Sequence, residues 1–139
     1  MKQKRSKFDG PVAVVFPSDN ETSILNKVFA GKTDLEITFL YVSEQYAGPI
    51  SEIPGMMTDA AFVHFLPKFM DWSSSHQGKV DSLCESILMR FYYDSQRDNA
   101  IKGLMSANGR QQAKAYIEDQ FDRHSYPIEV DRVLEYLNS

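Results

Sequence analysis

The sequence predicts an α+β fold: one helix-dominated domain over residues 10–139, with a small sheet of two or three strands, after a disordered basic tail at 1–9. Three observations lead there. Thr58–Trp72 places Phe62, Phe65, Leu66, Phe69 and Met70 at i, i+3, i+4, i+7 and i+8, one face of an amphipathic helix. Val80, Leu83, Cys84, Ile87, Leu88 and Phe91 repeat that spacing in a second helix. Pro11–Phe16 is a short β-branched run, and Asp34–Val42 alternates at Leu35, Ile37, Phe39 and Tyr41, so both read as strands.

Taken in order, the first strand leads into a capping box at Ser18-Asp-Asn-Glu21, where Ser18 accepts the N–H at N3 and Glu21 reaches back. The helix that follows buries Ile24, Leu25, Val28 and Phe29, and Gly31 stops it at C′. The second strand is expected either to pair with the first across this helix, as a right-handed parallel crossover, or to form a small mixed sheet. Residues 43–57, with Gly48-Pro49 and Pro54-Gly55, read as an irregular ordered loop. Thr58 caps the central helix, and Asp59 suits its positive end. Pro67 removes the N–H that the Val63 carbonyl needs, so a kink near Leu66, or two short helices, is expected.

Ser73–Gly78 reads as a polar linker. Beyond the Val80–Phe91 helix, Asp94–Gly103 is charged and mixed, enough for one helical turn. A helix from Ser106 to about Phe121 turns Ala113, Tyr116, Ile117 and Phe121 inward, slightly weakened by Gly109 in its first turn. Pro127 suits N1 of the last helix, whose buried stripe is Val130, Val133, Leu134 and Leu137.

A chain of 139 residues with 42% hydrophobic content can bury a sizeable core. Its net charge of −4 hides an asymmetry. Residues 1–7 hold four of the 15 Lys/Arg and none of the 19 Asp/Glu, so residues 8–139 carry 11 against 19, a net of −8. An acidic body repels nucleic acid. No apolar run of about 18 residues exists to span a membrane, and no apolar segment follows the basic start to make a secretory signal. The single cysteine cannot form an internal disulfide, which fits a cytoplasmic setting.

Catalytic and metal motifs are missing. Ala30-Gly-Lys-Thr33 ends like a phosphate loop, but Asn26 stands where its first glycine belongs, and helix precedes it where strand should. His64, His76 and His124 are scattered with no second ligand at helical spacing. His64 falls opposite the phenylalanines, near Lys68 and Asp71, as a solvated side chain. Cys84 falls mid-stripe, where burial raises a thiol pKa and makes it inert. Glu118-Asp119 and Glu129 with Asp131 point in different directions on their helices and read as solvated acids.

Phe62-Val-His-Phe-Leu-Pro-Lys-Phe-Met70 resembles the Phe-x-x-Phe/Tyr-Leu-Pro-x-Phe/Tyr-Leu/Met pattern of an uncharacterised family of small bacterial proteins. Leu104–Gln111 with Ala115-Tyr-Ile117 resembles the Leu-x-x-x-x-x-x-Gln helix of the same family, and Glu44-Gln45-Tyr46 an acidic turn upstream. The likeness spans roughly residues 40–121. It implies a bacterial origin and a compact helical fold, and carries over no activity or functional residue.

Small size, an acidic body and no catalytic constellation lead to a non-enzymatic cytoplasmic protein that binds another protein. The specific form is an immunity or antitoxin-like protein that covers a basic toxin. A small enzyme of a type no motif reveals, or a regulatory subunit, are the alternatives. Glu44, Glu52, Asp59 and Asp71 are the expected partner-binding acids, because they flank the 43–57 loop and the central helix. No cofactor, metal, nucleic acid or membrane enters this reading, and no motif speaks to oligomeric state.

Overall fold

A computed structural model describes residues 12, 20–33, 35–46, 48–75, 82–121 and 125–139. These form α1 (Asn20–Phe29), α2 (Phe39–Gln45), a 3-10 turn (Ile50–Glu52), α3 (Ile53–Met56), α4 (Asp59–Ser75), α5 (Leu83–Ser95), α6 (Ala100–Leu104), α7 (Ala107–Gln120) and α8 (Pro127–Asn138). No strand occurs among the described residues, where extended pairing is limited to single bridge residues at Thr33 and Met57. The architecture is all-helical, which corrects the α+β expectation and its small sheet.

Over its described residues, 35–42, the expected strand is a turn followed by α2. Glu36 accepts from both the amide and the hydroxyl of Thr33, at 2.9 and 3.0 Å, and so closes the turn. Thr38 then caps α2, its hydroxyl accepting the Tyr41 N–H at 3.1 Å. These local side-chain bonds satisfy the backbone without a partner strand, and Ser/Thr/Asp-type residues commonly win such competitions. Leu35, assigned to a buried strand face, is 66% exposed. Of the other expected strand only Val12 is described; it is buried, its N–H donating to Asn26 Oδ1 and its carbonyl accepting from Thr58, both at 2.9 Å. Ser18 of the capping box and the basic tail lie outside the described residues.

Residues 50–56 are helical, not irregular. Pro49 caps the 3-10 turn, and Pro54 sits in the first turn of α3, where a missing N–H costs nothing. Gly48 is required there by close approach: a Cβ would lie 2.7 Å from the Tyr46 ring. Gly31 is required for a different reason, its φ of 69° at C′ of α1.

α4 organises the core. It runs unbroken through Pro67, whose ring lies on the exposed side, and extends over Ser73–Ser75 of the expected linker. Thr58 caps it by accepting the Ala61 N–H at 3.2 Å. Phe62, Phe65, Leu66 and Phe69 are buried together with Trp72. Phe65 meets Phe29 of α1 at 4.9 Å between ring centroids, and Phe62 meets Phe91 of α5 edge-on at 5.5 Å. Each such ring contributes on the order of 2–3 kcal/mol through burial. α5 and α7 both pack on α8, through Val130, Val133, Tyr136 and Leu137. Ser106 caps α7 by accepting the Gly109 N–H at 2.9 Å, and Pro127 opens α8.

Two buried polar contacts fasten this bundle. Ser73 of α4 bonds to Tyr116 of α7. Asp94, 8% exposed on α5, accepts the Ile101 N–H at 3.2 Å, the Lys102 N–H at 3.4 Å and the Tyr136 hydroxyl. Its carboxylate thereby caps α6, whose own N-cap residue, Asn99, is in the left-handed region at φ 57° and makes no side-chain cap. Asp94→Ala should therefore leave two amides and a phenol without partners. Urea unfolding should show a loss of about 3 kcal/mol with the slope against denaturant unchanged.

Burial raises the Tyr116 and Tyr136 phenols well above their ordinary value of 10.0, with the Asp94 carboxylate adding to the shift at Tyr136 and the Ser73 bond partly offsetting it at Tyr116. The unfolded chain releases these protons near pH 10 while the folded chain keeps them. Their contribution to stability is thus intact below about pH 10 and is lost as pH rises beyond it. In an alkaline titration, these two of the seven tyrosines should ionise only together with loss of the helical circular dichroism signal.

Candidate functional site

The 3-10 turn and α3 both pack against α5, so the outer face of α5 meets a short helical wall. Between them lies a cleft of about 450 Å³ with Met56, Met89 and Tyr93 as its apolar surface and Glu52 on the α3 side. A second cleft of about 420 Å³ continues past Arg90 and Asp59, the first residue of α4, to Arg97 and Asp98 in the α5–α6 turn. Gly55, Arg90 and Tyr93 line both, so the two form one groove. The α5 contributors Ser86, Met89, Arg90 and Tyr93 fall at i, i+3, i+4 and i+7, one stripe on the flank of the buried face. Tyr93 is 53% exposed, an aromatic ring set largely in solvent.

Arg90 fixes the geometry of the groove. One guanidinium nitrogen donates to the Pro54 carbonyl at 2.8 Å and another to Asp59 Oδ1 at 2.7 Å, while the group lies 5.3 Å over the Phe62 ring. α3, through Pro54, and the start of α4 are thus held to α5 by one planar fork. Its side chain is 17% exposed and its charge is directed inward, so it adds little positive field to the groove. The surface charges left along the groove are Glu52, Asp98 and Arg97.

The four acids assigned from the sequence separate here. Glu52 is exposed at the groove edge. Asp59 lines the groove but is also committed to Arg90, so it is a structural ion-pair partner as well as a surface acid. Glu44 is exposed on α2 and does not line the groove. Asp71, exposed on α4 and accepting from Ser75 at 3.4 Å, stands twelve residues beyond Asp59, about 18 Å along the helix. Sequence reasoning missed Met89, Tyr93 and Asp98. The available signal was the position of Tyr93 just off the buried stripe of α5, where an aromatic has no core to join.

The other singled-out residues take no part in the groove. His64 is half-buried, its ring edge-on to Phe65 at 4.7 Å. Cys84 is half-buried against the core rather than fully enclosed. Among the described residues no three His, Cys, Asp or Glu side chains converge as metal ligands, and no helix is long and apolar enough to cross a membrane. No protein-family model, curated protein or solved structure matches this chain. The functional reading therefore rests on the groove itself.

Replacing Arg90 tests whether the groove wall depends on it. Arg90→Ala should cost about 2–3 kcal/mol in urea unfolding, since it removes two hydrogen bonds and a ring contact at a largely buried site. Arg90→Lys should recover less than half of that, because an ammonium cannot bridge two acceptors in one plane.

Proposed function

We propose that the chain is a non-enzymatic protein-binding module that takes a basic segment of a partner protein, with apolar side chains interspersed, into the groove beside α5. The observation that carries this reading is the pairing of an apolar, methionine-and-tyrosine surface with an acidic edge on a body whose residues 8–139 sum to −8. Unbranched Met56 and Met89 adapt their shape to a bound side chain. An exposed tyrosine brings large contact area at low entropic cost, which is why it recurs at binding hot spots. Glu52 and Asp98 supply the charge that steers a basic partner, and the negative body extends that steering beyond contact distance.

The specific form is an immunity or antitoxin-like protein acting in the cytoplasm, which covers a basic toxin such as a nuclease. A nuclease presents a positive cleft for phosphates, and an acidic docking surface is its natural complement. Asp59 and Asp94 in the groove are hydrogen-bonded into the fold, which leaves them poorly placed as a general acid and base.

Affinity capture on the immobilised full chain tests the reading, with Tyr93→Ala and the pair Glu52→Lys, Asp98→Lys alongside the parent. A basic protein should be retained by the parent, with retention falling at high salt as the edge charges are screened. Tyr93→Ala should lower retention at least about tenfold, the loss of one hot-spot contact. The charge pair should slow association and flatten its salt dependence. Retention indifferent to all three substitutions, or retention of no basic protein, refutes the reading.

A further inference from the structure

We infer that the partner segment taken by the groove is an amphipathic helix laid alongside α5, with a cation at each end of its bound face and two apolar side chains between. The inference rests on the groove being a site for a basic partner segment, and it names the conformation and spacing of that segment.

Three observations converge on it. The first is what the walls are made of. The 3-10 turn, α3 and α5 flank the groove, and a helix bonds most of its N–H and C=O groups within itself. At the end of α5 the Tyr93 carbonyl accepts from Gln96, and the Asp94 carbonyl accepts from Arg97 and Asn99. The Pro54 carbonyl is taken by Arg90. Among the described residues no strand offers an edge for an extended peptide to join. An extended segment would therefore press its own main-chain groups against side chains and leave hydrogen bonds unmade. A helix arrives with them already paired, which is the physics of helix-in-groove recognition.

The second is the order of surfaces along α5. Glu52 lines the half that begins at Ser86, together with Met56 and Met89. Tyr93 lines both halves, and Asp98 lines the far one. From Ser86 to the turn after Ser95 this face runs about 15 Å. Helix positions i, i+4, i+7 and i+11 share one face and span about 16 Å. A cation at i meets Glu52, apolar side chains at i+4 and i+7 meet the methionines and Tyr93, and a cation at i+11 meets Asp98. The pattern reads the same in both directions, so it sets spacing without setting polarity. An extended strand covers that length in about five residues, and its alternation turns only about three of them to the groove.

The third is the state of the charges. Arg90 is engaged with Asp59, whereas Glu52 and Asp98 are both exposed at the groove. Asp98 accepts the Ala100 N–H at 3.3 Å through Oδ1, and a carboxylate has capacity for a further bond. Arg97 adjoins Asp98 and offsets part of its charge, which makes the Glu52 end the stronger anchor. A helix of this length is marginal alone in water, so it forms on docking or is carried by the partner's own fold.

Three synthetic peptides of about fifteen residues, added to the full chain, test this. The first carries lysine, leucine, leucine and lysine at i, i+4, i+7 and i+11 on a background of alanine and glutamine. The second has the same composition with those four at i, i+2, i+4 and i+6. The third is the first with a central alanine replaced by proline. The first should move the amide resonances of Met89, Tyr93 and Asp98, and should bind at least about tenfold more tightly than the other two. Its carbon-13 shifts, in a labelled copy, should move to helical values on binding. Tyr93→Ala should weaken it at least about tenfold, and Glu52→Lys should weaken it more than Asp98→Lys. Equal binding of the three peptides, tighter binding of the second, or a first peptide that leaves the groove resonances unmoved overturns the inference. Each of those results leaves the capture of a basic protein standing. Conversely, a first peptide that binds as expected while capture retains no basic protein refutes the partner reading and leaves the groove a helix site.

Discussion

The structure depends on how α5 disposes of two charges, one helical turn apart, that it takes out of water. Arg90 and Asp94 stand at i and i+4, the first with 17% of its side chain exposed and the second 8% exposed overall. Burying an ionised group without partners costs several kcal/mol, so each can sit there only if neighbouring elements bring polar atoms to it. Arg90 is satisfied by the Pro54 carbonyl of α3 and the first carboxylate of α4. Asp94 is satisfied by the first amides of α6 and a phenol from α8. Four helices are thereby aligned on α5 by the demands of two side chains, and the aromatic packing of Phe62 and Tyr136 on Phe91 fills the space between.

The groove is a consequence of the same constraint. Arg90 turns inward to the Pro54 carbonyl and holds α3 against the side of α5, leaving Met56, Met89 and Tyr93 facing each other across a furrow. Because the guanidinium is spent inside the fold, the sign of the furrow is decided by the acids at its edge. A surface of this kind offers area, adaptability and sign, the three properties on which the proposed binding of a basic partner segment rests.

Much of the helical skeleton was readable from the chain. Gly31 at the end of α1, Thr58 and Ser106 as caps and Pro127 opening α8 stand where local signals placed them. The stripes of α4, α5, α7 and α8 face the core as expected, with Met70, Cys84 and Leu134 half-buried at their edges, while Val80 lies outside the described residues. Two segments read differently. At 34–42, alternation matched a strand, but the bonds of Glu36 to Thr33 and of Thr38 to Tyr41 build a turn and a capped helix in the same residues. At 49–56, prolines read as loop residues occupy the cap and first-turn positions that tolerate them. Ile24, assigned to a buried face, is 38% exposed because its helix buries a narrower stripe than its composition allowed.

The sequence by itself determined which stretches are helices with a wet and a dry side, because periodicity and caps are properties of neighbours along the chain. It also determined the acidic body and the basic start. Tertiary structure alone decided that Asp59 is half a structural ion pair while Glu52 remains at a groove edge, and that Glu44 and Asp71 stand apart from both. It alone brought Met56 of α3 against Met89 and Tyr93 of α5, more than thirty residues further along the chain. A carboxylate's role is set by what lies opposite it, and only folding brings Arg90 to face Asp59.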